Sequence, residues 1–173
     1  MRSQVQNHKI DLRFIVTSRR VYHKYYNVIC NPLLWFLQHY MWNPLYNPNV
    51  DSNIHDAWTN GYVEVNKSFA ETIIDEAESE LEPPIIVSHD YHLYLLPKFI
   101  RQQLPESVIQ HFIHLPWPTS RYWQMIPRYM IHDILDSLCQ SNLLGFQTFQ
   151  DKQSFLETVN HYLPDTQIDW NDS

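Results

Sequence analysis

The apolar positions along the chain form short runs typical of strands and longer amphipathic patterns typical of helices. Apolar side chains at every second position over 10–16 predict a first strand. Three further apolar runs, at 85–87, 108–115 and 143–144, predict buried parallel strands. Prolines bound the first two of these runs, and Gly145 stops the third.

Helical patterns lie between these runs. Ser18 suits the N-cap of a helix that extends to about residue 28, and Pro32 suits the first turn of a second helix over 33–39. Two Asn-Pro pairs predict a loop over 42–53. Longer helices are predicted at 54–80, 91–103, 129–139 and 149–162, and a short one is expected to be capped by Thr119 or Ser120.

Strands and helices that alternate at this spacing predict an α/β fold with a parallel, Rossmann-like sheet and helices on both faces. In such sheets, ligands bind beyond the carboxyl ends of the strands. Each of the three predicted parallel strands is followed by a polar motif, and these are His89-Asp90-Tyr91-His92, His114-Leu115-Pro116-Trp117-Pro118 and Gly145-Phe146-Gln147-Thr148. We therefore expect the three motifs on one rim of the sheet.

Composition narrows the class of protein. A hydrophobic content of 44% is typical of a globular chain, and a net charge of −7 argues against nucleic acid as a partner. Cys30 and Cys139 have no metal-ligand spacing, which indicates reduced thiols. Without an apolar run of about 18 residues or an apolar signal region, the sequence predicts no membrane partner and a cytoplasmic location. Only two glycines are present, which is few for a complete phosphate-binding domain.

Asp90 and His114 are the candidate site residues, because each directly follows a predicted strand. The carboxylate of Asp90 can accept hydrogen bonds from two sugar hydroxyls, although an Asp here also suits the N-cap of a helix that begins at Tyr91. The stiff Pro116-Trp117-Pro118 loop can hold the imidazole of His114 still for hydrogen bonding. A purely structural histidine is the alternative.

Ten histidines raise the question of a metal site. His111 and His114 are three apart in one strand, so they face opposite sides and cannot share a metal ion. With neither paired cysteines nor a His-Glu-x-x-His motif, we expect no metal and no cofactor. His111 is expected to tolerate substitution better than His114.

An aromatic cluster precedes the predicted loop and comprises Tyr25, Tyr26, Trp35, Tyr40 and Trp42. Tyr26 and Trp35 are nine residues apart, which places them on opposite faces of a continuous α-helix. A helix break at Asn31-Pro32 would allow both rings to line one pocket. Packing in the core is the alternative.

Four segments in this order resemble glycosyltransferase family 20, the trehalose-phosphate synthases, over roughly residues 25–163. They are Gly61-Tyr62-Val63-Glu64-Val65-Asn66 with Phe69-Ala70, His89-Asp90-Tyr91-His92-Leu93 with Leu96-Pro97, Phe112-Ile113-His114-Leu115-Pro116-Trp117-Pro118, and Leu144-Gly145-Phe146-Gln147-Thr148. The resemblance implies a GT-B type enzyme with two Rossmann-like domains. It also implies glucose transfer from a nucleotide donor, commonly UDP-glucose, to glucose 6-phosphate, with retention and without a protein nucleophile.

The resemblance also implies roles for individual residues. By motif position, Tyr26 and Trp35 match the contacts to the phosphate region of the acceptor. Asp90 matches the contact to the acceptor sugar, and His114 the contact to the transferred glucose. The expected small-molecule partners are thus a sugar phosphate and a nucleotide sugar.

Parts of the family pattern have no match in this chain. Neither the opening strand with its phosphate-binding Arg and Gly-Gly loop nor the donor-binding groups of the second domain is found. We therefore expect residues 1–173 to form a partial N-terminal, acceptor-side domain without the C-terminal nucleotide-sugar domain, inactive alone and associating with itself or with the remaining half. Trp117, where many relatives have Phe, and the segment 34–40 leave open a glucosylglycerol-phosphate synthase, a pseudo-glycosyltransferase or a non-catalytic sugar-phosphate-binding relative.

Overall fold

The computed structural model describes residues 2–5, 8–43 and 49–170, which form two sheets and five helices. Strands β1 (Arg2–Val5) and β2 (His8–Asp11) pair in antiparallel fashion. Strands β3 (Ile85–His89), β4 (Val108–Ile113) and β5 (Leu143–Phe146) form a parallel sheet in which β4 is central. This sheet confirms the prediction of an α/β fold with three parallel strands.

Helices connect the strands. Helix α1, over 19–38, joins an α-helical turn (Arg19–Tyr22), a π-helix (His23–Trp35) and a last turn (Phe36–Gln38). Helix α2, over 52–77, likewise joins Ser52–Ala57, a π-helical stretch Trp58–Val63 and Glu64–Ala77. Helices α3 (Leu96–Gln103) and α4 (Arg128–Leu138) are the crossovers, and α5 (Phe149–Tyr162) follows β5. None of the helices in the described parts of the chain is both long and apolar enough to cross a membrane.

The predicted helices at 129–139 and 149–162 agree with α4 and α5 to within one residue. The prediction for 91–103 is wrong at its start, where Tyr91–Leu93 is a 3-10 turn and the α-helix begins only at Leu96. Neither Thr119 nor Ser120 caps a helix through its side chain; instead, the Thr119 carbonyl accepts from the Tyr122 N–H, at the start of the 3-10 turn Tyr122–Met125. Part of the predicted loop, residues 44–48, lies outside the described residues.

The predicted strand over 10–16 is wrong beyond Asp11. Residues 12–18 have no regular structure, and Phe14 and Val16 are 76% and 91% exposed. Alternating apolar residues form a stable strand only when a neighbouring strand and a core are available to them. Among the described residues no strand pairs with residues 12–16, so the alternating pattern has no neighbouring strand.

The predicted break in α1 at Asn31-Pro32 is also wrong. The helix continues through Pro32 as a π-helix, in which hydrogen bonds close over five residues instead of four. Ile29, Leu33 and Leu34, on both sides of the proline, are fully buried. Their burial anchors both halves of the helix to the same core, so the chain does not turn away at Pro32.

The two faces of the parallel sheet differ. Ile86, Ile109 and Ile113 point toward the helices and are buried in the core. On the opposite face, Ile85 is 74% and Val87 55% exposed. Helices are predicted on both faces of the sheet, but among the described residues they cover one face only. The strands, predicted to be fully buried, alternate between buried and exposed side chains.

Candidate active site

Asp90 occupies a strained backbone position at the carboxyl end of β3. Its φ of 67° and ψ of 176° lie in a region that is rarely populated except by glycine. Its backbone N–H donates to the carbonyl of Phe112 on β4 at 2.9 Å. The carboxylate does not cap the following turn; instead, Oδ1 accepts from the backbone N–H of His114 at 3.3 Å. The alternative role as a helix cap is therefore excluded, and one carboxylate oxygen lies at the sheet rim.

His114 is exposed at the same rim, one residue beyond β4. Its Nε2 lies 3.1 Å from Nδ1 of His89, and its ring lies 4.8 Å from the ring of Phe112. Phe112 in turn packs over Gly145 of β5, where a Cβ atom would lie 2.3 Å from the Phe112 ring. Gly145 therefore makes room for the aromatic ring that supports His114.

The loop after His114 is anchored in the core. Trp117 is almost fully buried, and its indole N–H donates to Thr158 on α5 at 3.1 Å. Its backbone N–H donates to Asp151 at 2.9 Å. Asp151 also donates its own backbone N–H to Thr148, the N-cap of α5. Thr148 of the third sequence motif thus helps to hold Asp151, which in turn holds Trp117 of the second motif.

Tyr26 and Trp35 flank the residues that follow Asp90. The ring of Tyr26 stacks on His92 at 5.9 Å, and the ring of Trp35 lies 6.1 Å from Tyr91. Because α1 is a π-helix here, nine residues span about two turns, which brings both rings to one side without a helix break. Tyr26 also contributes to a cavity of about 390 Å³ together with His92 and Arg13.

Two buried residues of α2 hold the Tyr91–Leu95 backbone in place. The Tyr62 hydroxyl donates to the carbonyl of Tyr91 and accepts from the Tyr94 N–H. Asn66 donates to the carbonyl of His92 at 3.1 Å and accepts from the Leu95 N–H at 3.2 Å. Burial raises the pKa of Tyr62 well above its ordinary value, so the hydroxyl keeps its proton. Sequence reasoning found the Gly61–Asn66 motif but not this clamp.

Gly61 explains how close the clamp lies to α1. A Cβ at this position would come within 2.5 Å of the Lys24 Cβ and 2.8 Å of the Tyr25 backbone nitrogen. The glycine thereby allows α2 to pack directly against the helix that carries Tyr26. The sequence signal for this arrangement is Gly61 followed directly by Tyr62, with Asn66 four residues after the tyrosine.

Electrostatics favour neutral aromatic groups beside Asp90. Burial lowers the pKa of His92, an effect partly offset by the charge of Asp90, so the ring is neutral near pH 7. Burial is also the main cause that raises the pKa of Tyr91. Among the described residues, no cluster of three His, Cys, Asp or Glu side chains is arranged to hold a metal ion. The site thus offers hydrogen-bonding groups around a single carboxylate.

His111 lies on the buried face of the parallel sheet. It is fully buried, and its Nδ1 lies 2.7 Å from the Ser88 hydroxyl, while Nε2 has no partner. Burial is the main cause that lowers its pKa to about 3. Because the ring fills a core position and contacts Ser88, we expect substitution of His111 to lower the stability of the fold. That His111 tolerates substitution better than His114 in its effect on turnover stays a prediction.

The comparisons with known proteins agree on one family. The model for glycosyltransferase family 20 matches residues 1–171. The chain is 29% identical over 161 residues to a validamine 7-phosphate valienyltransferase of Streptomyces hygroscopicus subsp. jinggangensis, covering 93% of this chain and 32% of that protein. It is 31% identical over 160 residues to the alpha,alpha-trehalose-phosphate synthase (UDP-forming) of Candida albicans, covering 90% and 31%.

A solved structure of a trehalose-phosphate synthase is also similar to this chain. The crystal structure of an alpha,alpha-trehalose-phosphate synthase (UDP-forming) from Burkholderia xenovorans in complex with glucose-6-phosphate superposes with a TM-score of 0.68 at 28% identity. The match covers 82% of this chain and 28% of that one. The chain spans about a third of the length of the valienyltransferase and of the Candida albicans synthase.

Proposed function

Because the chain belongs to glycosyltransferase family 20, we propose that it forms the acceptor side of a trehalose-phosphate synthase site and binds glucose 6-phosphate. The observation that carries this proposal is the convergence of Asp90 and His114, joined by the bond from the His114 N–H to Asp90 Oδ1. The aromatic pair Tyr26 and Trp35 lies beside them, against His92 and Tyr91.

Each group has a role that its chemistry suits. Asp90 accepts hydrogen bonds from hydroxyls of the acceptor sugar, because a carboxylate offers several lone pairs. Tyr26 and Trp35 contact the phosphate region of the acceptor. His114 contacts the glucose that is transferred from UDP-glucose with retention, a reaction in which no protein nucleophile takes part.

Residues 1–173 are, in this proposal, the acceptor-side part of an N-terminal domain, and the donor is bound by elements outside these residues, with which they associate. The exposed sheet face with Ile85 and Val87 offers an apolar surface for that association. The isolated chain is then inactive, because stabilisation of a leaving diphosphate is usually the largest catalytic effect. The two cysteines are free thiols, which supports placing the chain in the cytoplasm.

Titration of the purified chain with glucose 6-phosphate, monitored by calorimetry or by amide NMR shifts, tests whether the chain binds this sugar phosphate. We expect saturable binding that Asp90→Asn weakens about tenfold, the effect of one lost charged hydrogen bond. Asp75→Asn, an exposed carboxylate on α2, is the matched control and should bind normally. Equal affinity in both variants, or no saturation in the native chain, would refute the assignment. Glucose transfer from UDP-glucose by the chain alone would refute its inactivity.

A second acceptor is favoured by one relative. The valienyltransferase that matches 93% of this chain is named for validamine 7-phosphate. If this chain has the same preference, validamine 7-phosphate should displace glucose 6-phosphate in competition experiments. Tighter binding of validamine 7-phosphate would reassign the acceptor but keep the same site.

A further inference from the structure

The carboxyl ends of β3 and β4 bring two imidazoles into direct contact. Nδ1 of His89, the last residue of β3, lies 3.1 Å from Nε2 of His114. The ring centroids are 5.2 Å apart and the planes are tilted by 35°. Both side chains are exposed, so the contact is made at the surface of the proposed site and not in the core.

This contact restricts which nitrogen of each ring carries a proton. A neutral imidazole carries one N–H and one bare nitrogen, so one ring donates and the other accepts. The bond therefore couples the tautomer of His114 to that of His89. Because Nε2 of His114 is occupied by His89, only its Nδ1 is left for a ligand.

The imidazole of His114 is held from three directions. Asp90 accepts from its backbone N–H, the Phe112 ring lies 4.8 Å from its own ring, and His89 occupies its Nε2. The first two contacts fix the position of the residue and one side of the ring. Within the part of the chain that the structure describes, His89 is the one residue that contacts a ring nitrogen of His114, so it is the described residue that decides which nitrogen carries the proton.

We propose that His89 is a positioning residue that keeps His114 in its Nε2–H form and presents Nδ1 as a hydrogen-bond acceptor to the sugar. In this arrangement His114 Nε2–H donates to His89 Nδ1, and both rings adopt the tautomer that free histidine prefers. The ligand class is a neutral sugar, one of whose hydroxyls donates a hydrogen bond to Nδ1 of His114. The assignment of that ligand rests on the proposed function, whereas the tautomer itself does not.

The test is the imidazole ¹H–¹⁵N long-range correlation spectrum of the ¹⁵N-histidine-labelled chain, recorded where the rings are neutral. We expect one tautomer for His114, protonated at Nε2. His89→Ala should produce a mixture of both tautomers, with the ¹⁵N shifts of the two ring nitrogens moving toward each other. His89→Asn should retain the Nε2–H form, because the amide oxygen can accept the same bond. His132→Ala, which removes an exposed ring on α4, is the control and should change nothing at His114.

Amide spectra of each variant show whether the fold is intact. A mixed His114 tautomer in the native chain, or a tautomer that His89→Ala leaves unchanged, would overturn the proposal. Glucose 6-phosphate titration of the same samples separates the two proposals. A fixed tautomer without sugar-phosphate binding would refute the proposed function alone, and binding with a mixed tautomer would refute the role of His89 alone.

Discussion

Ile85 and Ile86 are neighbours on β3, have the same side chain, and yet lie in opposite surroundings. Ile85 is 74% exposed on the open face of the sheet, whereas Ile86 is 7% exposed and packs against α2 and α3. Strand propensity is identical at both positions. The helix layer, and not the strand sequence, therefore decides which face of this sheet becomes core.

The exposed apolar face of the parallel sheet is also a candidate interaction surface. Parallel sheets are almost always covered on both faces, and large exposed apolar patches mark interaction surfaces. Val87, Val108 and Leu143 are exposed on the same face as Ile85. The face ends at His89 and Phe112, so an association there would reach the proposed site.

The comparison is tested most directly by truncating each isoleucine. Ile86→Ala should lower the free energy of unfolding by about 2–4 kcal/mol, because it leaves a cavity under α2 and α3. Ile85→Ala should change it by less than about 0.5 kcal/mol, as expected of an exposed side chain. Denaturant unfolding of both variants measures the difference. Equal losses would mean that the open face is covered in solution, for example by a second copy of the chain.

The covered face should also make stability depend on pH through His111. Its folded pKa of about 3 lies below the ordinary value of about 6.5, so the unfolded state binds more protons between these values. The stabilising contribution is therefore present above pH 6.5 and is lost as the pH falls toward 3, at about 1.4 kcal/mol per pH unit.

Denaturant unfolding at pH 7 and pH 5 measures this effect. Between those values, the native chain should lose about 2 kcal/mol more than His111→Gln. His132→Gln, with an exposed ring, is the control and should follow the native chain. A slope that His111→Gln leaves unchanged would show that other groups cause the pH dependence.

The smallest expected effect is at Asp90, the residue that directly follows β3. Because φ is 67° and ψ is 176°, Asp90→Gly should be about 1 kcal/mol more stable than Asp90→Ala. Both variants lack the carboxylate, so both should bind glucose 6-phosphate at least about tenfold more weakly than the native chain. Thermal or denaturant unfolding compares them. If Asp90→Ala were the more stable, the backbone at this position would not be strained.

The sequence predicted part of the candidate site. The strand–motif order placed Asp90 and His114 at neighbouring strand ends, and the structure brings their atoms into hydrogen-bond contact. The contact between His89 and His114 was missed, because it depends on the register between β3 and β4. The clamp of Tyr62 and Asn66 was missed for a related reason, since it joins segments about 30 residues apart.

Tyr26 and Trp35 show the limit of periodicity. Their spacing was interpreted with α-helical geometry, which separates them, and a break at Pro32 was predicted to reunite them. The π-helix brings them to one side instead. The π-helix packs closely against α2, where Gly61 allows the close approach, and its change of helix type leaves no simple periodic signal in the sequence.

Elements with local sequence signals can be predicted without knowledge of the fold. Helices α4 and α5 and the three parallel strands follow from apolar periodicity and from caps such as Thr148, because neighbouring residues alone set those patterns. Three other features depend on tertiary contacts: which face of the sheet is buried, the absence of a strand over residues 12–16, and which nitrogen of His114 faces His89. Those outcomes depend on which distant segments are present to pack, pair and donate, and a local pattern carries no information about them.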